Sequence, residues 1–242
     1  MEIEEVYSDI VEALKRRGDE KVAKQKKKWH KTPSYRSYGV RTSEMRALLQ
    51  RYRPRMKNLR LKEKLRLAKR LYTSGFAEEA DVGQAVLELS VATMTPTHFE
   101  VVKQIAETLN NWATSDGFCI HVMQPLLRKY PTEVIRVVRQ WNVSANMWKR
   151  RASVVVFVRN IGETGEYVEE VLDLCDNLIH DEEELVRKGV GWALKDTMRG
   201  AKEQVLAYVR KLRKIRGTST ITLYAIRDLE GIERDAILRI KP

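Results

Sequence analysis

Apolar residues recur at helical spacing along almost the whole of this chain, and that rhythm constrains the fold more than any other feature. Phe99, Val102, Ile105, Ala106 and Leu109 form one stripe, Val134, Val137, Val138 and Trp141 a second, and Val186, Val190, Ala193 and Leu194 a third. Short breaks separate the stripes at Thr95-Pro96, Tyr130-Pro131, Gly162 to Gly165 and His180-Asp181. Pro131 suits the first turn of a helix, where a missing N–H costs nothing. Asp181, ahead of Glu182, Glu183 and Glu184, suits an N-cap with acids in the first turn. Glycine and proline are sparse, 12 and 6 in 242 residues, against an all-β chain full of tight turns.

The expectation is therefore all-α, with about a dozen short helices whose short loops make successive helices antiparallel neighbours. Pairs of about 40 residues match the period of HEAT-like repeats, and about six pairs would fill the chain. Such an α-solenoid curves and offers a concave face. A single domain over residues 1–242 is expected, and nothing in the sequence requires an oligomer, so a monomer is the default. Cys119 and Cys175 have no disulfide or zinc spacing and read as buried thiols in a reducing compartment. The acidic start Met1-Glu2-Ile3-Glu4-Glu5 is unlike a secretory signal, and no apolar run reaches the ~18 residues of a membrane span. These features point to a cytoplasmic protein, nucleoid-associated in a prokaryote.

The formal net charge of +12 favours a polyanionic partner, because Lys and Arg contacts to phosphate release condensed counterions. Its distribution is more telling than its sum. Between Arg46 and Arg70 lie eleven Lys and Arg residues against one acid, Glu63. A second run is Arg210, Lys211, Arg213, Lys214 and Arg216.

Four residues sit oddly for a plain helical scaffold: Trp112, Asp116, Arg151 and Trp192. On a helix the neighbours of Trp192 are Lys188, Lys195 and Arg199, at i−4, i+3 and i+7. An indole amid cations suits a nucleic-acid surface, or it is a core-edge tryptophan ringed by solvated charges. Arg151 shares a face with Trp148, Ala152 and Val155. Its partner is either an internal carboxylate or a phosphate gripped bidentately. Lys149 and Arg150 point around the same helix as solvated or phosphate-contacting charges. Asp116 follows Trp112 by four residues. It is either the cap of a helix starting at Thr114-Ser115-Asp116, or a carboxylate that stabilises a developing cation and orients water. The four histidines (His30, His98, His121, His180) have no metal spacing, and P-loop, GxGxxG and GxSxG patterns are absent.

Together these segments resemble the AlkD family of DNA alkylation-repair glycosylases. Gly39-Val40-Arg41-Thr42-Ser43-Glu44 is similar to an early stretch of that family. Trp112-x-x-x-Asp116 has the spacing of its catalytic Trp and Asp. Trp141-x6-Trp148-x-x-Arg151 is similar to the approach to its phosphate-proximal Arg. Gly189-Val190-Gly191-Trp192-Ala193-Leu194 resembles the segment carrying its second active-site Trp. The resemblance implies HEAT-like pairs whose concave basic face cradles duplex DNA. It implies hydrolysis of the N-glycosidic bond of cationic alkylpurines, chiefly 3-methyladenine and 7-methylguanine, without extrusion of the base. Asp116, Trp112, Trp192 and Arg151 would be the catalytic set. DNA contacts would come from Arg151, Lys149, Arg150, Lys188, Lys195, Arg199, Trp148, Arg41 and His30. No metal, organic cofactor or active-site lysine is implied, hence no strand-cutting lyase step.

The chain departs from the best-known type at Arg41, where that type has a shorter polar amide, and at Trp29 or His30, where it has a tyrosine near DNA. Two other readings compete: a non-catalytic HEAT-like scaffold for damaged or branched DNA, and a basic scaffold for acidic proteins. A mere binder has no use for Asp116, which would repel phosphate.

Overall fold

The computed structural model describes residues 2–242, and among them it is helical with no β-sheet; one isolated bridge joins Arg36 to Phe76. Fifteen α-helices follow one another among the described residues. They are α1 (Glu2–Arg16), α2 (Glu20–His30), α3 (Thr42–Asn58), α4 (Leu61–Thr73), α5 (Ala77–Glu88), α6 (Phe99–Ala106), α7 (Trp112–Phe118) and α8 (Gln124–Lys129). There follow α9 (Pro131–Asn142), α10 (Met147–Val155), α11 (Val168–Asp176), α12 (Glu184–Thr197), α13 (Lys202–Arg213), α14 (Ser219–Ala225) and α15 (Gly231–Leu238). A π turn, Cys119–Met123, joins α7 to α8. No helix is long and apolar enough to cross a membrane.

The chain divides into two compact units, Met1–Pro125 and Leu126–Pro242. In the first, Val6, Ile10 and Leu14 of α1, Leu48 and Met56 of α3, Leu67 and Leu71 of α4 and Val82 and Val86 of α5 are buried. In the second, the expected stripes of α9 and α12 are buried together with Val205, Leu206 and Val209 of α13 and Ile221 of α14. The helical rhythm thus marks the interior, and the expected breaks fall between helices. Pro131 opens α9 as the spacing requires. Both cysteines are free and buried, and burial pushes the Cys175 thiol up.

Asp181 differs from its expected role. The first helical residue is Glu184, and Asp181 instead accepts from Glu183 N–H at 2.9 Å, shaping the turn ahead of α12.

Two local devices fix the segments that carry the site. The first is Glu78 on α5, whose carboxylate is fully buried. It accepts from Lys26 Nζ at 2.9 Å, the Ser37 hydroxyl at 2.5 Å and the N–H groups of Tyr38, Gly39 and Val40 at 3.0, 3.1 and 3.2 Å. Burial alone would raise its pKa; the Ser37 and Lys26 donors and the backbone amides outweigh it and hold the carboxyl below the usual glutamate value. Gly39 takes φ 81° in this loop, and a Cβ there would lie 2.0 Å from Asp19 O.

The second device is the glycine pair of α12. A Cβ on Gly191 would lie 2.6 Å from Tyr224 Cβ and 2.9 Å from Ile221 O, so only glycine lets α14 approach this closely. A Cβ on Gly189 would meet the Arg151 side chain at 3.3 Å.

Candidate active site and nucleic-acid interface

In the first unit, the side chain of Asn111 starts α7. Its Oδ1 accepts from Thr114 N–H at 3.0 Å, which makes Asn111 the cap and Trp112 the first helical residue. The reading of Asp116 as the cap is therefore overturned. Asp116 lies inside the helix, one turn after Trp112 and on the same face, and is only 8% exposed. The helix widens into the π turn three residues later, at Cys119. Such widenings occur often at functional sites, and nothing in the apolar spacing announced this one.

Trp112 is half-buried and stands on an aromatic cluster. The His30 imidazole stacks on it at 4.8 Å with a 29° interplanar angle, and stacks in turn on Tyr35 at 3.8 Å and 14°. Trp29 meets Trp112 edge-on at 4.8 Å. His30 is buried, whereas Trp29 is 66% exposed. Burial, with the nearby Lys26 charge, pushes the His30 pKa down to about 4, so the ring is neutral at ordinary pH. His30 was expected to touch DNA. The structure instead places it beneath Trp112, as a neutral ring that positions the indole, and gives Trp29 the exposed surface.

Arg41 is exposed at the start of α3, with Nη2 3.4 Å from Asp19 Oδ2. The basic run Arg46–Arg70 splits at the turn between α3 and α4. Arg46, Arg53 and Lys57 line one stripe of α3, and Lys62, Arg66 and Lys69 one stripe of α4, by their helical spacing. The α3 stripe borders a groove with Asp81 and Glu88 of α5, and the α4 stripe a groove with Glu4 and Tyr7 of α1.

In the second unit, the Asn146 side chain caps α10 by accepting from Trp148 N–H at 2.9 Å. Trp148 and Arg151 are both buried, 7% and 6% exposed, on one helical face as expected. Arg151 Nη1 donates to Leu185 O at 2.5 Å, and the side chain crosses α12 at Gly189. Lys149 is half-buried.

Arg150 requires correction as a phosphate contact. Its Nε and Nη2 donate to Asp181 at 2.6 and 3.1 Å, and its Nη1 to Ser144 O and Ala145 O at 2.9 and 3.1 Å. The guanidinium is a clamp between the start of α10 and the turn before α12, with its donors engaged within the protein.

Trp192 is half-buried and flanked by the buried stripe of α12. Lys188 pairs with Glu184 at 2.8 Å on the exposed face. Lys195 and Arg199 are not simply solvated: Lys195 Nζ is 2.6 Å from Asp196 and 3.1 Å from Asp228, and Arg199 binds Asp228 and Glu163. Sequence reasoning missed Arg159. Its guanidinium lies 5.7 Å from the Trp192 ring centroid, and its backbone takes the left-handed φ of 55°. Asp196 Oδ2 holds that conformation by accepting from Arg159 N–H at 2.7 Å. Neither the left-handed turn nor the carboxylate beneath it leaves a mark in helical periodicity. Among the described residues no cluster of His, Cys, Asp and Glu could hold a metal ion.

No curated protein sequence matches the chain. A solved structure described as a predicted DNA alkylation repair enzyme from Enterococcus faecalis is similar, with a TM-score of 0.75 at 13% identity. The match covers 88% of this chain and 97% of that one. At that identity the likeness speaks for the fold, an all-α solenoid of HEAT-like helix pairs. The sequence profile described as DNA alkylation repair enzyme matches residues 10–229. That span is most of the chain, and the protein belongs to the DNA alkylation repair enzyme family.

Proposed function

We propose that the protein is a monofunctional DNA glycosylase that hydrolyses the N-glycosidic bond of cationic N3- and N7-alkylated purines in duplex DNA, acting as a monomer in the cytoplasm or nucleoid. The observation that carries this reading is the first turn of α7. Asn111 sets its start so that Trp112 and a nearly buried Asp116 share one face. A carboxylate there would weaken simple phosphate binding by a protein of net charge +12, but it suits a centre at which positive charge develops.

An alkylpurine that already carries a positive charge leaves as a neutral base, taking the electron pair of the glycosidic bond and needing no proton. Positive charge then develops on the deoxyribose. In this reading Asp116 stabilises that charge and orients the attacking water, whose proton passes to bulk solvent as the sugar hydroxyl forms. Trp112 offers its aromatic face to this sugar, and Trp192 of the second unit is proposed as an aromatic contact to the duplex, such contacts reaching about 2 kcal/mol when desolvated. Arg151 holds a backbone phosphate and fixes register. Contacts to the sugar rather than to the base edge make extrusion of the base unnecessary. No lysine amine takes part, so the product is an abasic site in an uncut strand.

The test is release of 7-methylguanine from a defined duplex. Asp116→Asn should slow release by about a hundredfold, the equivalent of ~3 kcal/mol of lost transition-state stabilisation. Its duplex affinity should stay within a few-fold of the parent's. Parental rates in the variant would remove Asp116 from the chemistry. Borohydride trapping of a covalent imine would refute the purely hydrolytic route.

A further inference from the structure

Lys195 and Arg199 lie on the face of α12 that carries Trp192 and continues past its end. Three carboxylates surround them, and the three differ in kind. Asp196 is 2% exposed and binds both Lys195 Nζ, at 2.6 Å, and the Arg159 backbone, at 2.7 Å. It cannot leave without unpairing a buried charge. Asp228 comes from the segment between α14 and α15, its side chain is 48% exposed, and it reaches across to Lys195 Nζ at 3.1 Å and Arg199 Nη2 at 2.8 Å. Glu163, 39% exposed, takes the other Arg199 nitrogen.

Two cations and three carboxylates leave the cluster with a net negative charge, the wrong sign for a surface that meets a polyanion. Asp228 alone touches both cations at once from a solvated position. It borders a surface cavity of about 270 Å³ that Lys195, Arg199 and Lys202 also line. Lys195 and Arg199 hold its carboxyl below the usual aspartate value, so it is an anion at neutral pH.

We infer that Asp228 occupies the position of a DNA backbone phosphate in the free protein and is displaced when duplex docks, Lys195 and Arg199 then binding the phosphate in its place. The inference rests on the DNA-binding half of the proposed function and not on its chemistry. A carboxylate and a phosphate offer the same bridging oxygens to an ammonium and a guanidinium, and the fork of Arg199 suits either. Asp228 can withdraw into water because it is half-exposed, whereas Asp196 stays to keep Lys195 oriented. The segment that carries Asp228 is anchored at its root, where Arg234 Nη1 donates to Ile226 O at 2.5 Å. Only the tip has to yield.

The experiment is equilibrium binding of undamaged duplex across a salt series, so its reading does not depend on excision. Asp228→Asn should bind about fivefold more tightly than the parent, matching the ~1 kcal/mol of a half-exposed ion pair that no longer has to be broken. Glu230→Gln removes the same charge two residues away without touching Lys195 or Arg199, and should change affinity much less. Adding Lys195→Gln and Arg199→Gln to Asp228→Asn should abolish the gain and flatten the salt slope by about 0.9, one phosphate's worth.

The inference is overturned if Asp228→Asn gains no more than Glu230→Gln, or if the gain survives loss of both cations. A variant that melts earlier and binds more weakly would make Asp228 a structural pin, also overturning it. Asp228→Ser repeats the measurement should the amide fold poorly. Absence of duplex binding by every form would fell both this inference and the proposed function. Unaltered affinities beside normal base release would fell the inference alone.

Discussion

At the scale of single residues, environment decided roles that residue type left open. His30 could have been a cation at the DNA surface. Stacking between Trp112 and Tyr35 makes it a buried, neutral spacer instead. Its pKa falls from the ordinary 6.5 to about 4 on folding, so the unfolded chain binds the extra proton between those values. Stability is therefore untouched above pH 6.5 and declines as pH falls through that window. Chemical denaturation at a series of pH values should show the decline, and His30→Phe, which keeps a flat ring without a titrating nitrogen, should flatten it. An equal decline in the variant would place the titration elsewhere. Arg150 and Arg151 are neighbours with different partners: Asp181 engages the guanidinium of Arg150, while Arg151 donates to Leu185 O and lies against Gly189 of α12.

At the scale of elements, α12 is the clearest case of sequence and packing speaking together. Its two glycines looked alike in the motif, yet they answer to different neighbours. Gly191→Ala would drive a methyl group into Tyr224 and the Ile221 carbonyl, and α14 would have to shift. Thermal unfolding should show a net loss of about 1–3 kcal/mol, overpacking outweighing the ~1 kcal/mol that alanine gains by helix propensity. Gly189→Ala meets side chains rather than backbone, Arg151 Cγ at 3.3 Å and Val155 Cγ2 at 3.4 Å, contacts that a shift of a few tenths of an ångström relieves. It should leave stability near the parent's while slowing base release, because Arg151 must move. Equal loss of stability in both variants would refute this division. Helix α7 shows the limit of periodicity. Spacing put Trp112 and Asp116 on one face only if the helix began before both, and the Asn111 cap settled that. The π turn that follows has no period of its own to read.

Across the whole molecule, the helical rhythm was legible because apolar burial repeats every turn, and it marked the interior from α1 to α14. The partition into two compact units was not, because the boundary falls inside α8, where no glycine or proline cluster announces it. The helical faces were legible in the spacing, Trp112 with Asp116 in the first unit and Trp148 with Arg151 in the second, but their supports were not. Glu78, Asp196 and Arg159 act through backbone amides and a left-handed turn, which pattern reading does not see. Charge was legible in sum and misleading in detail, since Lys195 and Arg199 are covered by carboxylates from distant segments. If the uncovered stripes of α3 and α4 meet DNA, duplex affinity should fall by about a thousandfold between 50 and 200 mM salt for around six phosphates contacted. A flat dependence would leave the charge with solubility alone.

Glu78 carries one further consequence. Its five donors come from α2 and from the loop leading into α3, the stretch that sets where Trp29, His30 and Arg41 begin. The loop's shape is thus stored in a fully buried carboxylate, while the exposed side chains of Trp29 and Arg41 are open to exchange. In a library randomised at Trp29, Arg41 and Glu78 and selected for survival under alkylating stress, the two outer positions should accept many residues and Glu78 almost none. Recognition could then drift from one lesion to another without the scaffold having to be reinvented.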